Sequence, residues 1–337
     1  MNRKLTAVSL IASLLVLSSG TAALAADEET PDAIATLEQV ALAAPGGDAD
    51  VLVDVADVAT VDSTGLVIDE TINGVDVEIS SAPANAISIG EVEISLPASN
   101  SGDVLADGVV EYTEGDDTSV VVVVKEDSSV QVTSILPSAD APTRYDYELT
   151  LPDGATPLIA MEDGSLSSTA VDGSLALGVA PAWAYDAAGT AVPTHYEVQG
   201  STLTQVVDHV GGDFVYPIVA DPYYGQALFT KVTTKQAANI VSAVTSDFAR
   251  KLQKGTGPGI PAGDVIRGQD VLRSQGWAEL KSKTWIITSK ATWKQQYDCH
   301  VLGAFTPNTG GPSWDLEGNR SDNHNWLINV WNHKCNW

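Results

Sequence analysis

The sequence predicts an α+β protein with three parts: an acidic, sandwich-like, antiparallel all-β N-terminal region, a helical connector, and a small disulfide-closed C-terminal domain. Three observations predict this. Short β-branched runs alternate with Asn-Gly and Asp-Gly turns over much of the chain. The charge changes sign near residue 221, from −33 over residues 26–220 to +4 over residues 221–337. The only two cysteines, Cys299 and Cys335, lie close to the end.

The first 25 residues have the pattern of an export signal. Two basic residues precede an apolar stretch over residues 5–17, and Ala23-Leu24-Ala25 supplies the small residues of a cleavage site. We therefore predict a signal peptide over 1–25 and a secreted protein, with association to the cell wall as a further expectation. An N-terminal anchor is the alternative. No later segment has the roughly 18 consecutive apolar residues of a spanning helix, so no transmembrane segment is expected after signal removal.

A short helical leader is predicted over residues 26–45. Thr30-Pro31-Asp32 is typical of a helix start, and Pro45-Gly46-Gly47 ends the pattern. Residues 46–222 are predicted to form the acidic β domain.

The clearest strand pair in the acidic β domain is a hairpin, 66–72 with 75–79, joined by the two-residue turn Asn73-Gly74. Further predicted strands cover 92–96, 109–112, 120–124, 130–135, 145–151, 183–185, 194–198, 203–207 and 214–219. The regular spacing of the turn residues favours an antiparallel sandwich or meander.

The acidic residues of the β domain lie mainly between apolar positions or in turns. This indicates a solvated face that keeps a valine-rich domain in solution and protects its strand edges. The Asp-Gly turns at 153, 163 and 172 lack the D-x-D-x-D-G spacing of a calcium loop. No metal and no cofactor are predicted.

The connector, residues 223–263, is predicted to be a helix followed by a Gly/Pro linker. The helix is expected over 234–254, because five apolar residues fall on one helical face. These are Ile240, Val241, Val244, Phe248 and Leu252. The C-terminal Trp-rich domain, residues 264–337, is expected to begin with a short helix over 263–274. Short strands and loops are expected from residue 285 onward.

Three interpretations are open for Cys299 and Cys335. Export favours a disulfide, which would remove roughly 3.8 kcal/mol of unfolded-chain entropy on the loop-closure model. A zinc site with His300 and His333 has suitable ligand types, but the spacing is unusual. A Cys-His nucleophile would need a free thiolate, which export disfavours.

A set of polar and aromatic residues near the cysteines forms the candidate ligand site. Asp315 and Glu317 would face the same way on a strand, and Arg320 could form a planar ion pair with Glu317. The full set is His300, Trp314, Asp315, Glu317, Arg320 and His333. Structural ion pairing, ligand binding and acid-base catalysis all remain open, and no catalytic residue is assigned.

The segments QQYDCH, SWDLEGNR and CNW resemble a small domain of unknown function in exported proteins of Gram-positive bacteria. The matching residues are Gln296, Tyr297, Cys299, His300, Trp314, Leu316, Glu317, Arg320, Cys335 and Asn336. The resemblance extends from about residue 266 to the end. Gly318-Asn319 stands where a Pro-Trp pair is more usual. The family has no established activity, so the resemblance implies export but no chemistry. Residues 192–222 are similar to a β module that recurs upstream of varied C-terminal regions in exported bacterial proteins.

Two functions follow as expectations. The first is a non-enzymatic cell-envelope or extracellular binding protein that acts through its C-terminal domain, with a cell-wall polymer or another extracellular macromolecule as partner. Seven of the eight tryptophans follow residue 276 and could stack on sugars, while the +4 charge would favour anionic polymers. The alternative is a secreted precursor whose acidic β domain masks a basic effector, a hydrolase or an antibacterial toxin.

Common catalytic motifs and nucleic-acid readers are missing from the sequence. It contains no G-x-S-x-G, H-E-x-x-H or Gly-rich phosphate loop, which lowers the expectation of an enzyme without removing it. No nucleic-acid partner is expected, because +4 over the C-terminal part is a modest charge.

Overall fold

The computed structural model describes residues 32–45, 49–61, 65–114, 118–161, 164–254, 269–303, 313–328, 330–333, 335 and 337. The predicted signal peptide and the predicted linker over 255–263 lie outside these ranges. The described chain has the predicted α+β class: it is β-rich, with few helices and a C-terminal disulfide. Within the described part, none of the helices has the length and apolar character needed to cross a membrane.

The described residues contain five α-helices and a further α-helical stretch over residues 269–271. The five helices are α1 (Ala33–Ala43), α2 (Asp247–Lys254), α3 (Trp277–Lys283), α4 (Ala291–Gly303) and α5 (Val330–His333). A π-helical segment, Leu272–Gly276, runs directly into α3, and a 3₁₀ turn, Trp285–Thr288, follows it. The helix predicted over 263–274 is therefore helical in its described part.

Strands β1 to β17 form two antiparallel sheets, which we call the sandwich. One sheet has the order β1-β2-β3-β4-β9-β15-β14, and the other has the order β10-β11-β12-β17-β8-β7-β6-β5, in which β16 also pairs with β8 and β13 pairs with β16. The strands are Leu66–Ile72, Val75–Ser80, Ile87–Ile89, Val92–Ser95, Asp103–Ala106, Val109–Thr113, Ser119–Val124, Val130–Leu136, Arg144–Thr150, Ile159–Ala160, Leu166–Thr169, Leu175–Val179, Ala184–Asp186, Thr194–Gln199, Thr202–Val207, Ile218–Ala220 and Tyr223–Gly225.

The predicted hairpin forms between β1 and β2. Ile72 pairs with Val75, and the turn residues Asn73 and Gly74 both have positive φ, at 53° and 82°. Two positive φ values in succession are the signature of the primed turn that matches the twist of paired strands. The Asn-Gly signal therefore predicted both the turn and the strand register.

Strands β7 and β8 are buried on both faces. Val120, Val122 and Val124 belong to the core shared by the two sheets, whereas Val121 and Val123 belong to a second core on the outer face. Helix α1 covers that outer face through Leu37 and Val40. Burial on both sides explains why the β7 sequence is a continuous apolar run instead of an alternating one.

The remaining elements form what we call the C-terminal module: β18 (Phe229–Lys235), β19 (Ile240–Thr245), β20 (Ser313–Glu317) and helices α2 to α5. The three strands make an antiparallel sheet in the order β18-β19-β20. The core of the module also includes Leu175, Ala180 and Tyr223 of the sandwich, so the two parts share one apolar cluster.

The helix predicted over 234–254 is wrong for its first half. Residues 240–245 form β19, which pairs with β18 on one side and β20 on the other, and only Asp247–Lys254 is helical. Asn239 turns the chain with φ 55°. Val241 and Ala243 alternate inward as in a strand, so pairing with the distant β20 overrides the helical spacing.

The prediction of short strands and loops is also wrong for residues 291–303, which form the helix α4. Trp293, Tyr297 and Val301 recur every fourth residue and are all buried in the core of the module. The side chain of Asp322 accepts a hydrogen bond from the Thr292 amide at 2.8 Å and so caps the start of this helix.

Candidate functional site

Cys299 on α4 and Cys335 form the predicted disulfide. The two sulfur atoms lie 2.06 Å apart, the Cα atoms 5.5 Å apart, and both residues are buried. The zinc and nucleophile interpretations required free thiolates and are therefore wrong. Among the described residues, no group of three or more His, Cys, Asp or Glu side chains is arranged to hold a metal ion.

His300 and Trp314 form a stacked aromatic pair between α4 and β20. The ring centroids lie 5.7 Å apart with an interplanar angle of 9°. Burial lowers the pKa of His300 to about 4, although a main-chain hydrogen bond at Asp315 acts in the opposite direction. His300 is consequently neutral near pH 7, so no imidazolium is present there to act as a general acid.

Asp315 and Glu317 lie on the same face of β20, as predicted. Along this strand Trp314 and Leu316 are buried, while Asp315 is exposed and Glu317 half-buried. The Asp315 carboxylate accepts a hydrogen bond from the Ser242 hydroxyl on the neighbouring strand β19.

The predicted ion pair between Glu317 and Arg320 also forms. Arg320 Nε lies 2.6 Å from Glu317 Oε2, and Arg320 Nη1 donates to the main-chain oxygen of Trp337 at 2.7 Å. Arg320 thus links the final turn of the described chain to β20.

His333 has a separate structural role. Its Nδ1 accepts a hydrogen bond from the Cys335 amide at 3.0 Å, and its Nε2 lies 2.7 Å from the Trp326 carbonyl oxygen. These two contacts require the neutral tautomer protonated at Nε2. The structure therefore divides the six candidate residues into separate pairs and contacts, each of which holds part of the module together.

Two residues that matched the resemblance, but were not placed in the candidate site, connect the elements around it. The Gln296 side-chain amide pairs with the main chain of Glu317 at 2.9 Å in both directions, so it joins α4 to the edge of β20. The Tyr297 hydroxyl donates to the Leu272 carbonyl oxygen at 2.5 Å. Neither contact could be predicted from the sequence, because the partner residue is distant along the chain.

Glu279 is a buried acid that the sequence analysis missed. Its carboxylate accepts hydrogen bonds from the amides of Leu228 and Phe229 at 2.8 and 3.2 Å, and Lys283 Nζ lies 3.0 Å away. Burial raises the pKa of Glu279, while Lys283 acts against that rise. The i,i+4 spacing of Glu279 and Lys283 was the available signal. This cluster holds α3 against β18.

A cavity of about 160 Å³ lies between the sandwich and α2, away from the candidate set. Its lining is Val53, Asp54, Lys125, Tyr223, Asp247, Arg250 and Lys251. Lys125 Nζ donates to the Val51 and Val53 carbonyl oxygens, and burial lowers the pKa of Lys125 to about 7. The two acidic and three basic side chains that line the cavity largely compensate each other in charge.

The C-terminal tryptophans differ in exposure, which limits how many can contact a ligand. Trp293 and Trp314 are fully buried, whereas the Trp285 side chain is 72% exposed. Trp277, Trp326 and Trp337 are partly buried. Neither a comparison with protein-family models nor a search of curated proteins finds a match to this chain.

Proposed function

We propose that this chain is an exported, non-enzymatic binding protein of the cell envelope or the extracellular space, and that it binds through its C-terminal module. The proposal rests on one observation: the candidate polar residues are engaged in contacts that stabilise the module. His300 is buried and neutral, Glu317 is paired with Arg320, and His333 is held between two main-chain groups. A general acid-base pair needs one group free to exchange a proton with a substrate.

Export is supported by two independent features. The first 25 residues have the signal-peptide pattern, and the disulfide between Cys299 and Cys335 is of a kind that persists in oxidising compartments and is rare in the cytosol.

Charge supports a polyanionic partner for the module and not for the sandwich. Residues 26–220 carry −33, which repels anionic polymers, whereas residues 221–337 carry +4. Because exposed charges are screened over about 8 Å at physiological ionic strength, the two regions can respond to a partner separately. Walls of Gram-positive bacteria are the natural ligand to test first, given the resemblance noted above.

The experiment is co-sedimentation of the mature, oxidised protein with purified insoluble cell walls. The proposal expects the protein in the pellet at low salt and its progressive release as salt is raised. An acidic control protein of similar isoelectric point should stay in solution. Wall turbidity should remain constant throughout, since no hydrolysis is proposed. Recovery of the protein in the supernatant at low salt, or loss of turbidity, would reject this function.

The packing of the module disfavours the predicted alternative, a precursor that releases a basic effector. Such a precursor would be cleaved over residues 223–235 or in the linker over residues 255–263. Tyr223–Gly225 is a buried strand of the sandwich, and Tyr223 belongs to the core of the module. Release would expose that shared apolar cluster. A single intact mature species in culture supernatant would count against this alternative.

A further inference from the structure

One surface of the C-terminal module combines an exposed aromatic ring with a group of exposed lysines. We call it the Trp285 patch. It consists of Trp285, Lys231, Lys235, Lys281 and Lys283, all of which are exposed. None of these residues belongs to the candidate ligand site derived from the sequence.

Contacts between α3 and β18 bring the members of the patch together. Glu279 accepts hydrogen bonds from the amides at the start of β18, and Lys283 Nζ lies 3.3 Å from the Phe229 carbonyl oxygen. At the other end, Thr234 Oγ1 donates to Thr284 Oγ1 at 2.9 Å. The chain from Glu279 to Trp285 therefore runs beside the edge strand β18.

The lysines of the patch surround this edge. Lys231 and Lys235 project from the face of β18 opposite to the core, whereas Lys281 and Lys283 lie on the α3 side. The four residue-to-residue steps from Lys231 to Lys235 span roughly 13 Å along a strand. The result is a positive strip that follows the edge and has an indole ring beside it.

Little negative charge opposes this strip. Residues 271–296 contain a single acid, Glu279, which is buried and paired with Lys283. Lys231, Lys235 and Lys281 form no ion pair with any residue in the described ranges. Asp315 and Glu317 lie on the same face of the sheet as Lys231 and Lys235, but on β20, two strands away, or roughly 10 Å in the hydrogen-bonding direction.

We propose that the Trp285 patch binds a linear anionic wall polymer of sugar or polyol units joined by phosphate. The phosphates contact the lysines, and one sugar or polyol unit packs on the face of the indole. This inference rests on the proposed function and names its ligand. Charge complementarity selects a polyanion, and the extended shape of the strip selects a linear one.

A lipid surface fits the patch less well. Trp285 is exposed, but the two residues that follow it, Ile286 and Ile287, are half-buried and buried. A bilayer would gain the burial of one ring only, which is a weak anchor. Single-stranded nucleic acid is also a poorer fit, because such sites stack successive bases on several aromatic side chains.

The test compares binding of the mature, oxidised protein to two preparations of the same walls. One carries its poly(ribitol phosphate), and the other has been stripped of phosphate-linked polymer with hydrofluoric acid. The variants are Trp285→Ala and Lys281→Gln. Their matched controls are Val171→Ala, which truncates another exposed apolar side chain, and Arg144→Gln, which removes one exposed cation of the sandwich. Phosphatidylglycerol vesicles and duplex DNA are tested in parallel.

The inference expects the protein to bind untreated walls and to lose binding to stripped walls. Each patch variant should bind untreated walls about fivefold more weakly, which is the size expected for one lysine near an anionic surface or for one stacked ring. The two controls should bind like wild type. Equal binding to both wall preparations, or unchanged binding of both patch variants, would overturn the inference and leave the proposed function standing. Absence of binding to either preparation would reject both. Tighter binding to vesicles or DNA than to walls would overturn the polymer assignment.

Discussion

The ring of Phe248 on α2 lies directly against Gly225 on β17. A methyl group added at Gly225 would lie 2.4 Å from Cγ of that ring. Gly178, which pairs with Gly225 across β12 and β17, faces the same ring, with its added methyl 2.5 Å from Cζ. A paired glycine surface on the sandwich is thus what allows α2 to dock closely.

We predict that Gly225→Ala lowers the free energy of unfolding by about 1–3 kcal/mol, because the new methyl group overpacks the junction. Urea titration followed by tryptophan fluorescence measures the change. Adding Phe248→Leu should remove part of the clash, so the double variant should be more stable than the sum of the two single effects predicts. An unfolding midpoint of Gly225→Ala equal to that of wild type would show that the ring does not lie on this surface.

Removing the disulfide should destabilise the module more than the sandwich. The bridge closes a loop with a sequence separation of 36, and for the double variant Cys299→Ser/Cys335→Ser we expect a loss of up to about 4 kcal/mol. Protection of amides in α4 and β20 against hydrogen exchange should fall, while that in β7 and β8 should not. Titration of native, unreduced protein with a thiol reagent should find no free thiol; two reactive thiols would contradict the bridge.

His300 should make the module sensitive to acid. Its folded-state pKa of about 4 lies below the ordinary value of 6.5, so stability is complete above pH 6.5 and is lost as the pH falls toward 4. The loss is at most about 3.5 kcal/mol at 1.4 kcal/mol per pH unit. A pH titration of the folded protein followed by NMR should find the His300 ring neutral at pH 5.5. A His300 resonance that titrates near 6.5 in the folded protein would contradict the buried stack on Trp314.

Asp221 should have the opposite dependence on pH. Its carboxylate is buried in the sandwich, accepts a hydrogen bond from the Trp183 amide at 2.9 Å, and has its pKa raised by burial from 3.8 to about 8. A raised carboxyl pKa means that wild-type stability falls as the pH rises from about 4 to about 8. Asp221→Asn should remove this fall, with a gain over wild type that grows by at most about 1.4 kcal/mol per pH unit.

The control for Asp221→Asn is Asp153→Asn, at an exposed position of the sandwich. It should follow wild type at every pH. Chemical denaturation at pH 5, 6.5 and 8 distinguishes the outcomes. A stability difference between Asp221→Asn and wild type that stays constant across this range would show that Asp221 titrates normally.

The parts of the fold that sequence could predict are those set by neighbouring residues. Asn73-Gly74 specified its own turn, and the valine run of β7 indicated a strand without reference to distant partners. Strand β19 was mistaken for helix because its outer partner, β20, follows about 70 residues later and supplies the pairing that decides its structure.

The candidate site was predictable in its chemistry but not in its arrangement. The predicted signal peptide was enough to favour pairing of Cys299 with Cys335, and the short spacing of Glu317 and Arg320 was enough to predict their ion pair. The stack of His300 on Trp314 depends on α4 and β20 lying side by side, which no local pattern indicates. The exposure of Trp285 likewise could not be predicted, because it depends on which tryptophans pack into the core of the folded module.

The most direct test of the account compares the affinity of Trp285→Ala and Glu317→Gln for untreated walls. Both positions lie in the same module, but Trp285 belongs to the Trp285 patch, whereas Glu317 belongs to the candidate site and is paired with Arg320. The account predicts about fivefold weaker binding for Trp285→Ala and wild-type affinity for folded Glu317→Gln. Loss of binding in Glu317→Gln together with wild-type affinity in Trp285→Ala would contradict it.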